Sequence, residues 1–375
     1  MIDVFEVAEL LVSYAVANCG DDVDLIAYYG SQARGDAGPG SDLDLFYTPA
    51  DGKNPPIGRT FLLDGLLFDF WGLRWETLEG FATGAIRGWA FAPALVRQAT
   101  PLYVRSSEQA ERLATLQQRS RELESQGSQP AMQERAQEAF VRVVERLGTL
   151  HLAAVDGRPT DVRYAGWQLI GSVWECLTLS NQITFARGFH RALSQAEKLS
   201  YRPDNLTELV ETITASLETG EVLRAADELA AATRSVLDGR ERTQPARPIV
   251  EQFDQVYPEM KDIVRKLLSA CEEGDRVAAS LEAYSLQNDV ASILASTQEG
   301  PARRSFTPYS CFAAPYREAG LPDLTALSSG PLDELAAAAR RFDGQLRRWL
   351  TEHGVGLCEY ATLDELREAL SDRHD

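Results

Sequence analysis

The spacing of apolar residues changes period several times along the chain, and each change predicts an element. Val4, Val7, Ala8, Leu11, Val12 and Ala15 recur at helical intervals, so residues 3–17 read as an amphipathic helix. A Gly/Asp turn over 18–24 separates this helix from a short apolar run, residues 25–29, which reads as a strand. Gly30-Ser31 then leads into Gln32-Ala33-Arg34, enough for one helical turn that Gly35 can close. The loop from Asp36 to Ser41 contains the breakers Gly38, Pro39 and Gly40. After it, Asp42-Leu43-Asp44-Leu45-Phe46 alternates polar and apolar positions. In a strand this places Asp42 and Asp44 on one face and Leu43 and Leu45 on the other.

A Pro/Gly-rich connector over 49–58 precedes RTFLLDGLLFDFWG, in which Asp64-Gly65 divides two apolar runs and predicts a β-hairpin. Its second arm puts Leu67, Asp69 and Trp71 on one face and Leu66, Phe68 and Phe70 on the other. A short helix over 76–86 and a strand in TPLYVR complete this region. Beyond the polar, Gly- and Pro-bearing stretch 124–134 the period is almost wholly helical. Trp167, Ile170, Trp174 and Leu177 fall on one helical stripe and predict a packed seam. A further helical run covers 204–238, followed by a charged, proline-bearing boundary at 238–248. More helices run from Val250 to the end, interrupted around 300–332. The expected organisation is three parts: 1–105, 106–240 and 241–375.

Composition narrows the function classes. A chain of 375 residues that is 44% hydrophobic and 25% charged is ordinary for a globular protein. A net charge of −19 argues against a broad nucleic-acid-binding surface. The five cysteines (Cys19, Cys176, Cys271, Cys311, Cys358) are scattered and odd in number, without CxxC spacing. That fits reduced core thiols and a cytoplasmic location better than a disulfide framework or a zinc site. The four histidines (His151, His190, His353, His374) form no HxxxH or HExxH pattern. The N-terminus has no basic region ahead of an apolar one, so no signal peptide is expected. No run approaches the roughly 20 apolar residues of a membrane span.

The acids carry the chemistry. Two carboxylates on one face of a buried strand repel each other and lose hydration, and a divalent cation is the usual compensation. An all-oxygen donor set suits Mg²⁺, which is commonly held by one or two carboxylates plus substrate phosphates. Asp69, flanked by large apolar residues on a later strand, is a third costly carboxylate.

In chain order the pattern is a strand, Gly30-Ser31, ten intervening residues, Asp42-x-Asp44, a hairpin, then Asp69. GSQARGDAGPGSDLDL thus resembles the nucleotidyltransferases of the DNA polymerase β superfamily. The likeness is to the minimal bacterial branch that includes kanamycin-type aminoglycoside nucleotidyltransferases and the antitoxins paired with HEPN toxins. It covers about residues 20–75. The resemblance implies an α+β N-terminal nucleotidyltransferase domain, a mixed β-sheet with flanking helices, followed by an all-α C-terminal region. It further implies Asp42, Asp44 and Asp69 as catalytic residues holding one or two Mg²⁺ ions, with Asp69 as third ligand or general base. Gly30, Ser31, Arg34 and Ser41 are the expected nucleotide contacts, and ATP or another nucleoside triphosphate the substrate.

The expected reaction moves a nucleoside monophosphate, AMP from ATP, to a hydroxyl of a small, aminoglycoside-like acceptor. Two alternatives are antitoxin-like AMP transfer onto a protein and an inactive nucleotide-binding regulator. No extended nucleic acid or membrane is an expected partner, and a homodimer is compatible with the pattern. In the helical part Glu175, Asn181, Arg187, His190, Arg191 and Lys198 are candidates for the base or acceptor contact, and Glu76 and Glu79 for a cationic acceptor. Helix-surface charges are more often simply solvated.

Overall fold

The structure is a computed structural model that describes residues 2–38, 41–86, 88, 90–125, 129–239, 248–253, 256–299 and 309–366. The chain forms two compact units, Met1–Glu241 and Arg242–Asp375. Of the charged boundary at 238–248, residues 240–247 lie outside the described residues, as do Pro39 and Gly40, residues 126–128, residues 300–308 and His374.

Helix α1 (Val4–Cys19) begins at Asp3, whose carboxylate accepts a hydrogen bond from the Phe5 amide at 2.9 Å. Strand β1 (Val23–Tyr29), the single turn α2 (Ser31–Arg34) and β2 (Leu43–Pro49) follow. Next come the hairpin arms β3 (Arg59–Leu63) and β4 (Leu66–Gly72), then helices α3 (Trp75–Thr83) and α4 (Ala92–Gln98). Strand β5 (Thr100–Val104) and helix α5 (Ser107–Glu122) close the mixed part. The five strands make one mixed sheet in the order β3-β4-β2-β1-β5. Only the β2–β4 pair is parallel. The hairpin turn is as expected: Asp64 and Gly65 both have positive φ, 52° and 80°, the geometry of a tight type I′ turn.

The sheet is covered on both faces, which explains why β1 is apolar without interruption from Leu25 to Ala27. Val7, Ala8, Leu11 and Ala15 of α1 pack on Ile26, Leu43, Leu45, Phe68 and Phe70. On the opposite face Leu25, Ala27 and Phe46 meet Trp75 and Leu78 of α3, Val96 of α4 and Leu113 and Leu116 of α5. One buried acid here is compensated within the fold. Asp24 receives the Trp75 indole N–H at 2.9 Å and an ion pair from Arg105 at 2.7 Å.

The rest of the first unit is helical: α6 (Gln129–Val155), α7 (Pro159–Asn181), α8 (Ala192–Ala196), α9 (Leu206–Ala215) and α10 (Thr219–Asp238). Ile170, Trp174 and Leu177 are buried in its core as the stripe predicts, but Trp167 is 49% exposed. Its ring contacts those of Tyr164 and Phe189. The run over 204–238 is two helices, not one. Ser216 breaks it by accepting from the Glu218 amide at 3.1 Å and donating to Glu221 at 2.7 Å.

The second unit contains α11 (Ile249–Phe253), α12 (Val256–Glu273), α13 (Arg276–Glu299), α14 (Ala313–Glu318), α15 (Leu324–Leu327) and α16 (Leu332–Glu352). Leu335, Ala339, Phe342, Leu346 and Leu350 form the buried stripe of α16. Buried Gln287 of α13 is fully engaged, with Tyr309, Asp323 and Thr325 around its amide. No helix among the described residues is long and apolar enough to cross a membrane.

Candidate active site

Four strands deliver one polar row across the sheet. Thr60 on β3 stands opposite Asp69 on β4, Asp69 opposite Asp44 on β2, and Asp44 opposite Tyr29 on β1. Residues directly opposite share a face, so these four side chains emerge on the α3–α5 side, beyond the point where Phe46 and Trp71 fill it. The alternation read from the sequence therefore holds, with one correction. Strand β2 begins at Leu43, so Asp42 lies just before the strand and only Asp44 lies within it.

This row opens into a cavity of about 860 Å³. Gly30, Ser31, Arg34, Ser41, Asp42 and Asp44 all line it; Asp69 does not. Asp69 keeps its place beside Asp44, with one carboxylate oxygen accepting from the Thr60 hydroxyl at 2.6 Å. The rest of the lining includes Phe91, just before α4, and Phe185, Arg187, His190 and Arg191 from the segment that follows α7 in the helical part.

Asp44 is the electrostatic centre of the site. Burial, followed by the negative charges of Asp42 and Asp69, raises its carboxyl from the ordinary 3.8 to about 6, against a smaller opposing pull from Arg34. Unlike Asp24, it has no hydrogen-bond donor or paired cation among the described residues. Gly30 explains how the backbone comes so near. A Cβ there would lie 2.6 Å from Asp44 Oδ2, and its φ of +79° with ψ of −150° is a conformation essentially confined to glycine. The same burial and the same three acids push the Tyr29 hydroxyl well above the usual phenol range. That hydroxyl accepts the Trp71 indole N–H at 3.2 Å and keeps its own proton to donate.

Arg34 is already occupied. Its guanidinium donates to Asp36 at 3.2 Å, to Gln98 at 3.0 Å and to the Ala186 carbonyl at 2.7 Å. Arg187 reaches the same Asp36 at 2.9 Å. Although partial desolvation pushes the Asp36 carboxyl up, its hydrogen bond with Arg34 and the two arginine charges hold it below the ordinary range. Arg34 is thus a brace between α2 and the segment that follows α7. Ser41 accepts from the Gly38 amide at 2.9 Å and closes its loop.

The donor set fits a hard divalent ion bound in an open site. Two uncompensated carboxylates face the cavity, and Asp69 stands behind one of them. Among the described residues no three His, Cys, Asp or Glu side chains are grouped so that they could hold a metal ion, so Asp42, Asp44 and Asp69 do not form a ready-made three-ligand set. Substrate and water oxygens would have to complete the coordination, as is usual for Mg²⁺.

No family model matches the chain, and no curated protein matches it. A solved structure of a nucleotidyltransferase-like protein from Exiguobacterium sibiricum is similar at 13% identity and a TM-score of 0.37, over 68% of this chain and 78% of that one. A likeness at that level carries no functional information.

Of the helical candidates, Arg187, His190 and Arg191 line the cavity. Glu175 is spent on an ion pair with Arg142 at 2.6 Å, and Asn181 on backbone groups of Leu177 and Tyr201. Glu79 pairs with Arg119 at 3.1 Å, and neither it, Glu76 nor Lys198 lines the cavity. Tyr29, Phe91, Gln98 and Phe185 also line the cavity and are not among the residues expected from the sequence. Tyr29 was legible in principle, being the last strand residue before Gly30. The others lie in apolar or helical runs where nothing local distinguishes a cavity wall from core.

Asp44 makes a prediction for the metal-free protein. Its folded-state pKa lies above the unfolded one, so the wild type loses stability as pH rises from about 4 to about 6. Asp44→Asn removes that penalty. It is expected to stabilise the metal-free protein by about 1–2 kcal/mol at pH 8, after allowance for partial exposure, and to change little at pH 4. Chemical unfolding in EDTA at both pH values measures this. Equal effects at the two pH values would refute the assignment.

Proposed function

We propose that the chain is a Mg²⁺-dependent nucleotidyltransferase that moves a nucleoside monophosphate, AMP from ATP, to a hydroxyl of a small-molecule acceptor. The observation that carries this reading is the uncompensated Asp44 carboxylate, open to the cavity with Asp42 and backed by Asp69, with the bare backbone of Gly30 against it. Asp42 and Asp44 would hold the ion. Bound there, Mg²⁺ supplies charge neutralisation of the triphosphate and polarisation of the reacting phosphate.

The chain's own groups supply position and polarity. Gly30 leaves room for a phosphate beside the acids, and Ser31 offers its hydroxyl and N–H to it. The Tyr29 hydroxyl, kept protonated by its raised pKa, would donate a hydrogen bond to a phosphate oxygen. Asp69 lies outside the cavity lining, which favours the role of third carboxylate beside Asp44 over that of a base touching the acceptor. The acceptor hydroxyl gives its proton to solvent water as its oxygen attacks the α-phosphorus, and the bond to the bridging oxygen breaks so that pyrophosphate leaves with the electron pair. Such a step depends mainly on alignment and on charge complementarity. Within the first unit, residues 1–105 would bring the acids and Phe91, and the helical residues 106–240 the segment from Phe185 to Arg191.

Two experiments bear on this reading. Incubation with α-labelled ATP, CTP, GTP or UTP, Mg²⁺ and a panel of hydroxyl acceptors should yield a labelled product. Label transfer that survives both Asp42→Asn and Asp44→Asn would sink the metal assignment. Tyr29→Phe, which deletes one hydrogen bond to a charged group, is expected to lower kcat/KM roughly tenfold with little change in melting temperature. A kcat/KM within twofold of wild type would remove Tyr29 from the site.

A further inference from the structure

The wall facing the acids has its own chemistry. Segment 183–192, which joins α7 to α8, reads ITFARGFHRA and contains no acid. Arg187, His190 and Arg191 from it line the cavity. Arg187 is paired with Asp36, while the Arg191 side chain has no ion-pair partner among the described residues.

From this wall a row of rings leads outwards. The cavity-lining Phe91 contacts Phe189 at a centroid distance of 6.0 Å, Phe189 contacts Trp167 at 5.9 Å, and Trp167 contacts Tyr164 at 5.6 Å. The outer three are 42%, 49% and 59% exposed. Partly exposed rings in one continuous row that begins at a cavity offer a surface of the kind on which a planar ligand stacks.

We propose that this strip is the acceptor subsite and that it takes a small molecule joining a planar ring to an anionic group. This rests on reading the cavity as the site of nucleotidyl transfer. The ring would stack along Phe189 and Trp167, and the anion would meet the Arg191 guanidinium, which suits phosphate and carboxylate geometry. A polycationic, aminoglycoside-like acceptor fits poorly. It would face Arg187, Arg191 and His190, while the acids across the cavity are committed. Asp36 is held by two arginines, and Asp42 and Asp44 line the cavity where, on the proposed reading, they would hold the ion. The donor's own base is a single ring system and does not account for four aromatic side chains in succession, ending on the outer surface where a second molecule can enter.

The test is direct binding by titration calorimetry to the full chain, using 1-naphthyl phosphate, inorganic phosphate, 2-naphthol and kanamycin as probes and Mg²⁺–ATP as reference. Naphthyl phosphate should bind more tightly than either of its halves, and kanamycin should not bind. Trp167→Ala and Arg191→Ala should each weaken naphthyl phosphate about tenfold and leave ATP within twofold. Both substitutions are at exposed positions, and circular dichroism checks that the fold is kept. Kanamycin binding, or naphthyl phosphate binding unchanged by both substitutions, overturns the proposal. So does an equal loss of ATP binding, which would assign the strip to the donor base. The two readings fail separately. A wild type that binds naphthyl phosphate but not ATP refutes nucleotidyl transfer, whereas one that binds ATP but not naphthyl phosphate refutes this inference alone.

Discussion

Asp44→Asn is expected to lower nucleotidyl transfer by roughly 10³-fold, because losing a carboxylate to a metal that stabilises the reacting phosphate forfeits several kcal/mol of transition-state stabilisation. The substitution keeps the shape of the side chain and removes one of three clustered charges. The protein should therefore remain folded and, without metal, be more stable than wild type at neutral pH. That combination separates a functional carboxylate from a structural one. A structural acid such as Asp24, which holds Trp75 and Arg105, should cost stability when neutralised. Steady-state kinetics alongside thermal unfolding distinguishes the two. Activity within tenfold of wild type, or a loss of stability that parallels the loss of activity, would contradict the assignment.

Gly30→Ala is expected to be comparably damaging for a different reason. The new Cβ would sit 2.6 Å from Asp44 Oδ2, so either the carboxylate or the β1–α2 backbone must move. The backbone itself, at φ +79° and ψ −150°, disfavours any side chain by about 1–3 kcal/mol. Loss of at least 100-fold in activity and a fall of roughly 5–10 °C in melting temperature are expected. A double-mutant cycle isolates the contact. In an Asp44→Ala background the clash disappears and only backbone strain remains, so Gly30→Ala should cost measurably less stability there. Equal costs in both backgrounds would show that the glycine serves the turn alone.

The acid cluster was legible in the sequence because its signals are local. Strand alternation placed Asp44 opposite in sense to Leu43 and Leu45, and the Asp64-Gly65 turn placed Asp69 on the arm that pairs with β2. What alternation does not contain is strand order. The parallel β2–β4 pairing that brings Asp69 beside Asp44 is a long-range choice, as is the hydroxyl of Thr60 that occupies one Asp69 oxygen. Arg34 illustrates the same limit. Its sequence neighbours offered Asp36, but Gln98 and the Ala186 carbonyl come from far along the chain.

In the helical part, periodicity says which side of a helix is apolar, not whether a neighbour will cover it. Trp167 shares the stripe of Ile170, Trp174 and Leu177, yet the segment after α7 passes beside it and leaves half of it in solvent. The break at Ser216 is hidden in the pattern for a related reason. A serine closing a turn on the next amides looks, in a helical pattern, like an ordinary polar position.

The central claim is that Asp42 and Asp44 hold a divalent ion against the phosphates of a nucleotide. Crystals grown with Mn²⁺ and a non-hydrolysable ATP analogue, measured at the manganese absorption edge, test it most directly. The expected result is an anomalous peak within coordination distance of both carboxylates and of phosphate oxygens lying over Gly30 and Ser31. A nucleotide bound elsewhere, or an empty acid cluster at saturating Mn²⁺ and nucleotide, would contradict it.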